Sequence, residues 1–222
     1  VEQKITAKFV VGADGVCSTV LSFLYPKLKR KLVQTHQVYI EGQLPRDAFY
    51  AYFPLKERRI TYFWVIPKKE IVVAGVGGLP PINLRRHMQN FLSMLKVKYK
   101  LGKILKYETY PIPTFSPANL ALGKGRILLV GDAASLADPF YGEGIYSSLV
   151  SGKLASETII ENFNEPSKLS KEYRKRLKPL LTELKEMHKL TTYYQSLDSE
   201  GRQNFLKELF ETYEKPIKRE KE

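Results

Sequence analysis

One cysteine, one tryptophan and three histidines are all that this 222-residue chain holds of the side chains that most often do redox or metal work. Cys17 alone excludes an internal disulfide and fits a reducing compartment. His36, His87 and His188 are too scattered for metal-ligand spacing, so no metal is expected. Long hydrophobic runs are lacking as well. No stretch approaches eighteen uncharged apolar residues, which excludes a membrane-crossing helix. The first residues, V-E-Q-K-I-T-A-K-F-V-V, read as a strand rather than a signal peptide, and the expected location is cytoplasmic. Acidic residues are few against basic ones, 23 against 36, for a net charge of +13. The excess lies in residues 1–150, while residues 151–222 are near neutral. A basic surface attracts phosphates and anionic headgroups. No nucleic-acid module and no basic helix interleaved with base-stacking aromatics is present, so nucleic acid is not an expected partner. What remains is globular, 43% hydrophobic and 12% aromatic, and long enough for one domain or two small ones.

The stretch from Arg126 to Glu157 organises the chain. Ile127, Leu128, Leu129 and Val130 form a short continuous apolar run, the pattern of a strand buried on both faces. Gly131 and Asp132 follow at its end, where ligands sit in open α/β sheets and a carboxylate accepts from a ligand hydroxyl. Asp138-Pro139 and Gly142-Glu143-Gly144 make a tight segment whose glycines let backbone approach a flat ligand. From Ile145 the spacing predicts a helix with Ile145, Leu149, Leu154 and Ile159 on its apolar face. The positive end of that helix suits an electron-rich group.

Earlier in the chain, residues 9–18 predict a buried strand, a Gly12-Ala13-Asp14-Gly15 turn and a helix over Ser18–Leu24. Cys17 reads as a small packed residue. Residues 36–112 read as a sheet: Val38–Gly42, the aromatic Phe49–Phe53, Arg59–Pro67, and Glu70–Gly77 joined to its predecessor by a hairpin across Lys68-Lys69. Period-2 alternation puts Tyr62, Trp64 and Ile66 on one face with Phe63 and Val65 on the other. Residues 82–100 predict an amphipathic helix capped by Asn83, with Leu84, Met88, Phe91, Leu92 and Leu95 inward. Tyr107–Pro113 reads as a strand leading to the 126–130 strand. Beyond Ile160, Leu169, Tyr173, Leu177, Leu180, Leu184, Met187 and Tyr194 repeat at helical spacing, divided near Pro179. Phe205, Leu206, Leu209, Phe210 and Tyr213 mark a further helix.

Three segments then carry a resemblance. G-D-A-A-x-x-x-D-P-x-x-G-E-G-I over 131–145 resembles the second flavin fingerprint of the FAD-dependent reductases and hydroxylases with the p-hydroxybenzoate-hydroxylase fold. G-A-D-G-x-x-S over 12–18 resembles that fold's middle fingerprint, without the usual arginine shortly after the serine. Tyr62-x-Trp64-x-Ile66-Pro67, then Gly75-x-Gly77 after seven residues, resembles the Y-x-W-x-F-P…G-x-G motif of the geranylgeranyl reductases, with Ile66 in place of phenylalanine. The order of the three is that family's.

The resemblance implies an FAD/NAD(P)-binding fold of mixed α+β and α/β class, with the antiparallel sheet as substrate domain and a helical C-terminal region. It divides the chain into residues 1–35 and 113–162 (FAD-binding), 36–112 (substrate-binding) and 163–222 (helical). The G-x-G-x-x-G of a nucleotide-binding βαβ unit is absent, so the chain is expected to be truncated and, alone, to retain FAD poorly. By resemblance, Gly12, Asp14, Gly15, Gly131, Asp132, Pro139, Gly142, Gly144 and Ile145 contact the cofactor. Tyr62, Trp64, Ile66, Pro67, Gly75 and Gly77 line a slot for an isoprenoid chain. The activity implied is FAD-dependent saturation of prenyl double bonds, with NAD(P)H or ferredoxin as electron donor and no catalytic side chain assigned. Peripheral membrane contact goes with a lipid substrate, although the near-neutral tail argues against it. An aromatic-substrate monooxygenase or halogenase, and a remnant without flavin, stay open beside it.

Overall fold

Two sheets share this chain, and the second is inserted between strands of the first. The computed structural model describes residues 4–45 and 48–213. The first sheet has three short strands, β1 (Val10–Gly12), β7 (Gly123–Lys124) and β8 (Ile127–Leu129), in the order β1-β8-β7. β1 and β8 run parallel with Gly12 opposite Leu129, so the turns after both strands leave the sheet at one end. Between β1 and β7 lie β2 (Val33–Gly42), β3 (Tyr50–Tyr52), β4 (Ile60–Lys68), β5 (Ile71–Gly78) and β6 (Leu101–Ile112). They form one antiparallel sheet ordered β3-β4-β5-β2-β6. The helices are α1 (Thr19–Leu24), α2 (Leu84–Lys98), α3 (Ile145–Glu161), α4 (Leu169–Arg176), α5 (Lys178–Ser196) and α6 (Ser199–Tyr213).

Helix α2 covers one face of the five-stranded sheet. Its Met88, Phe91, Leu92 and Leu95 pack on Val38, Ile40, Val65, Val72, Ala74 and Val76, all buried. Each of these side chains other than Ala74 is worth about 1.5–3 kcal/mol when fully buried. The Asn83 side chain accepts from Arg86 N at 3.1 Å, which starts the helix where the sequence predicts. With α2 on one face, alternation leaves Tyr62, Trp64 and Ile66 of β4 on the other. The second core joins Leu128, Leu129 and Leu136 to Leu169, Tyr173, Leu177, Leu180 and Leu184 of the C-terminal helices. Tyr173 is fully buried there, and its hydroxyl donates to the Leu129 carbonyl at 3.0 Å. Pro179 stands in the first turn of α5, so the predicted long helix is broken at Leu177.

Several expectations are corrected. α3 does not bury Ile145 and Leu149, which are 75% and 71% exposed. Its inner stripe is Ser147, Ser151, Ala155 and Thr158, with Leu154 and Ile159 half-buried beside it. Small residues bring the helix close to the strand end, and their hydroxyls find backbone acceptors, as Thr158 does at Leu154 O. β1 is not a buried strand. It pairs with β8 alone among the described residues and leaves Val10 and Val11 about two-fifths exposed. Of the strand-like opening, Val1–Gln3 lie outside the described residues, and only Val10–Gly12 form strand. Cys17 is exposed, because Val16 and Ser18 on either side of it point inward. The hairpin turn falls one residue late, at Lys69-Glu70, with Lys69 in left-handed conformation (φ 36°). The strand expected at Tyr107–Pro113 is the end of β6, which pairs with β2.

Candidate functional site

The end of β8 is shaped by its glycine. Gly131 has φ 53°, and a side chain there would meet Ser148 Oγ at 2.6 Å, so only glycine lets α3 pack this closely. Its N–H donates to Ser151 Oγ at 3.0 Å. The chain then makes a 3₁₀ turn, Gly131–Ala134. Arg30 ties this turn to the one after β1. Its guanidinium donates to Asp132 O at 2.9 Å, to Ser135 Oγ at 3.1 Å and to Val16 O. Nothing in the sequence flags Arg30, which stands in a basic run, K-L-K-R-K, where charges usually face solvent.

Asp132 is half-buried. Burial pushes its carboxyl above the usual range while the Arg30 charge pulls it back. Among the described residues no donor hydrogen-bonds to that carboxylate. Its Oδ1 lies 3.2 Å from the position a Cβ on Gly144 would take, which puts the acid beside the start of α3. Gly144 caps α3 without a side chain, and the Glu143 carboxylate accepts from Tyr146 N at 2.9 Å. The intervening loop is built on Asp138, whose carboxylate accepts from Phe140 N (2.8 Å) and Tyr141 N (2.6 Å). Asp138 O accepts from Gly142 N at 2.9 Å. Gly142 sits at φ 70°, and a Cβ there would touch only Ile112 Cδ1, at 3.6 Å.

Gly142 opens on a cavity of about 630 Å³. Its apolar wall is Tyr62, Trp64, Ile66, Phe49 and Ile112, and its polar wall is Thr35, Gln37, Glu108 and Thr109. A second cavity of about 530 Å³ shares Phe49, Tyr62 and Tyr141 with it and extends to Tyr52, Lys98 and Phe210. The Tyr62 hydroxyl donates to Tyr141 O at 2.6 Å, which fastens the sheet to the glycine loop. Burial, reinforced by Asp138 and Tyr141, pushes Tyr62 up to about 12. On the polar wall, hydrogen bonds from Lys106, Gln37 and Tyr39 hold the Glu108 carboxyl at about 2.

The other expected site residues lie elsewhere. Gly75 is underneath the indole: a Cβ there would meet Trp64 Cε2 and Cζ2 at 2.2 Å. Gly77 similarly makes room for Thr61 Oγ1. Pro67 pairs with Val72 in the hairpin and does not line the cavity. Gly12 packs against Leu129 and Val20. Asp14 spends its carboxylate on Thr19 N (2.8 Å), Thr19 Oγ1 (3.0 Å) and Val20 N, at the start of α1. Its partial burial works against ionisation, but the hydrogen bonds from Ser18, Val20 and Thr19 outweigh it and hold the group at about 2. Gly15 turns the chain at φ 75°, and a Cβ there would lie 3.9 Å from the Tyr110 hydroxyl. Pro139 walls a separate, smaller cavity, and Ile145 opens α3 exposed to solvent.

The chemistry on offer is an acceptor carboxylate without a donor, beside bare glycine backbone, opening on an aromatic-walled slot. That set fits a polyhydroxylated chain carrying a flat ring, with room for an apolar ligand next to it. The chain is 29% identical over 182 residues to digeranylgeranylglycerophospholipid reductase 1 of Methanococcoides burtonii, covering 78% of this chain and 44% of that one. It is 31% identical over 172 residues to geranylgeranyl diphosphate reductase of Synechocystis, covering 73% and 41%. It thus spans less than half the length of these curated relatives. A geranylgeranyl bacteriochlorophyll reductase-like structure from Thermoplasma acidophilum superposes with a TM-score of 0.69 at 25% identity, covering 88% of this chain and 52% of that one. The model of the FAD binding domain matches residues 1–179, and the chain belongs to that family.

Proposed function

We propose that this chain forms the ring-facing and substrate-facing part of a flavin-dependent reductase that saturates double bonds of isoprenoid chains. The observation that carries the reading is that Gly142, from the glycine loop, and Tyr62, Trp64 and Ile66, from the aromatic motif, line one cavity although they belong to separate segments. When bound, the flavin supplies the hydride for the alkene, and that chemistry is the cofactor's own. The protein's part is placement. Asp132 accepts from the hydroxylated chain that links ring to nucleotide. Gly142 and Gly144 give the ring a backbone wall, and the positive end of α3 favours electron density there. Trp64, held flat by the glycine beneath it, and Tyr62 give an apolar chain a rigid wall at little entropic cost. The slot continues past Phe49 toward Phe210, a length that suits a prenyl chain better than one small aromatic ring.

Neither Tyr62 nor Glu108 is poised to give a proton near neutrality. Tyr62 is held neutral with its hydroxyl on Tyr141 O, and Glu108 is held ionised. Water entering over Gln37, Glu108 and Thr109 is the proton source this arrangement supports. The test is Trp64→Ala with FAD supplied. Truncating a packed aromatic costs about 3 kcal/mol, roughly a hundredfold in turnover of a polyprenyl substrate, while flavin content stays unchanged. Normal reduction of polyprenyl chains by the folded variant would end the slot assignment.

A further inference from the structure

Pro139 and Phe140 also wall a small cavity of about 20 Å³, enclosed by α5, α6 and the start of β4. It is next to Arg202, which is 2% exposed and among the largest fully buried side chains. A buried guanidinium needs a countercharge and acceptors for its N–H groups. Arg202 donates to Gln195 O at 3.1 Å and lies 5.0 Å from the centroid of the Tyr194 ring. Among the described residues no carboxylate forms an ion pair with it, and its Nε has no hydrogen-bond partner. Asp198, four residues earlier, forms no ion pair with it, and one oxygen of its carboxylate accepts from Gly201 N at 2.8 Å. Tyr194 is no substitute, because burial pushes its hydroxyl up despite the pull of Arg202, and it stays a neutral phenol. Arg58, an exposed residue, lines the same cavity together with Thr61 and Gln195, and no acidic residue does.

We infer that this cavity is a binding site for one monoatomic halide ion, chloride or bromide, held between Arg202 and Arg58. Its size admits a single water-sized guest and excludes sulfate or phosphate. The ion supplies the missing countercharge and an acceptor for the free Nε–H; a water molecule would supply only the acceptor. The walls give the site a consequence. Pro139 and Phe140 belong to the loop that ends in Gly142, and Thr61 adjoins Tyr62. An ion here fastens α6 to both sides of the large cavity from behind.

The experiment compares melting temperatures of the chain in sodium chloride, bromide, sulfate and gluconate at equal ionic strength. The expected result is a saturable rise in the two halides alone, roughly 5–10 °C at about a hundredfold excess over Kd. Arg202→Met abolishes that rise. Bromide-soaked crystals of the unaltered chain show an anomalous peak between Arg202 and Arg58, and this measurement decides the matter if the variant fails to fold. Equal melting temperatures in all four salts overturn the inference. So does a full halide response in folded Arg202→Met, or ordinary water density where the bromide peak is expected.

Discussion

Gly75→Ala isolates what the glycine of the aromatic motif does. The backbone at Gly75 is ordinary strand, in register with Trp64 on β4 and Gln37 on β2, so alanine brings no conformational strain. The added Cβ would sit 2.2 Å from Trp64 Cε2 and Cζ2 and 2.6 Å from Nε1. Carbon atoms pack at about 3.5–4.0 Å, so the indole must shift by roughly 1.5 Å. The sheet prevents the methyl from yielding, and the free space lies on the cavity side. Overpacking of this kind costs about 1–3 kcal/mol, or roughly 2–12 °C in melting temperature for a chain of this length. Trp64 is the chain's one tryptophan, so its emission reports the shift directly. We expect altered emission, a lowered melting temperature and a loss of polyprenyl turnover larger than any loss of flavin. Trp64→Leu in the same protein should recover the stability but not the turnover. Unchanged emission and melting temperature in Gly75→Ala would refute the reasoning.

Three further outcomes are expected. Asp132→Ala should weaken flavin binding by about 1.5–3 kcal/mol, the worth of a charged hydrogen bond, and Asp132→Asn by less. Because burial opposes ionisation of that carboxylate, the flavin-free variant should melt no lower than the parent, and wild-type flavin affinity would remove Asp132 from the site. Tyr62→Phe should cost about 1 kcal/mol of stability by removing the hydrogen bond from the Tyr62 hydroxyl to Tyr141 O and leave turnover within a few-fold; a hundredfold drop in folded protein would make the hydroxyl the proton source. Glu108 is held below its unfolded value of about 4.5, first by Lys106 and then by Gln37 and Tyr39. Its stabilising contribution is present above that value and fades as pH falls toward about 2. Glu108→Gln should therefore flatten the acid limb of a stability-against-pH curve, and superimposable limbs would contradict the assignment.

Periodicity was informative wherever burial and hydropathy agree. The five inward residues of α2 and the stripe from Leu169 to Leu184 are apolar, and burying them is the dominant stabilising term. α3 shows the opposite case. Its N-terminal half presents Ile145 and Leu149 to solvent and buries Ser147 and Ser151, because close approach to Gly131 demands small residues there. A hydroxyl can be buried where a backbone group meets it, as Gly131 N meets Ser151 Oγ. No hydropathy pattern records that exchange. Arg30 was hidden for a related reason: its role depends on two loops about a hundred residues apart arriving at its guanidinium, which sequence spacing does not encode.

The glycines carry the argument furthest. In the fingerprint over 131–145 and in the pair Gly75-Gly77, each glycine is legible as a place where backbone must be approached closely. What approaches is not legible. Around Gly142 the space is open and a ligand can fill it; at Gly131 the visitor is Ser148, and at Gly75 it is Trp64. A motif of this kind therefore specifies two layers, residues that face the slot and glycines that seat those residues. The Y-x-W-x-I-P…G-x-G spacing follows from the hairpin itself: β4 and β5 pair antiparallel around a two-residue turn, which places Gly75 opposite Trp64. Changing the turn length by one residue would set Ala74 or Val76 opposite Trp64 in place of the glycine. The seven residues between Pro67 and Gly75, a two-residue turn with paired strand on either side, are the number that seats the glycine against one aromatic ring, whatever ligand that ring meets.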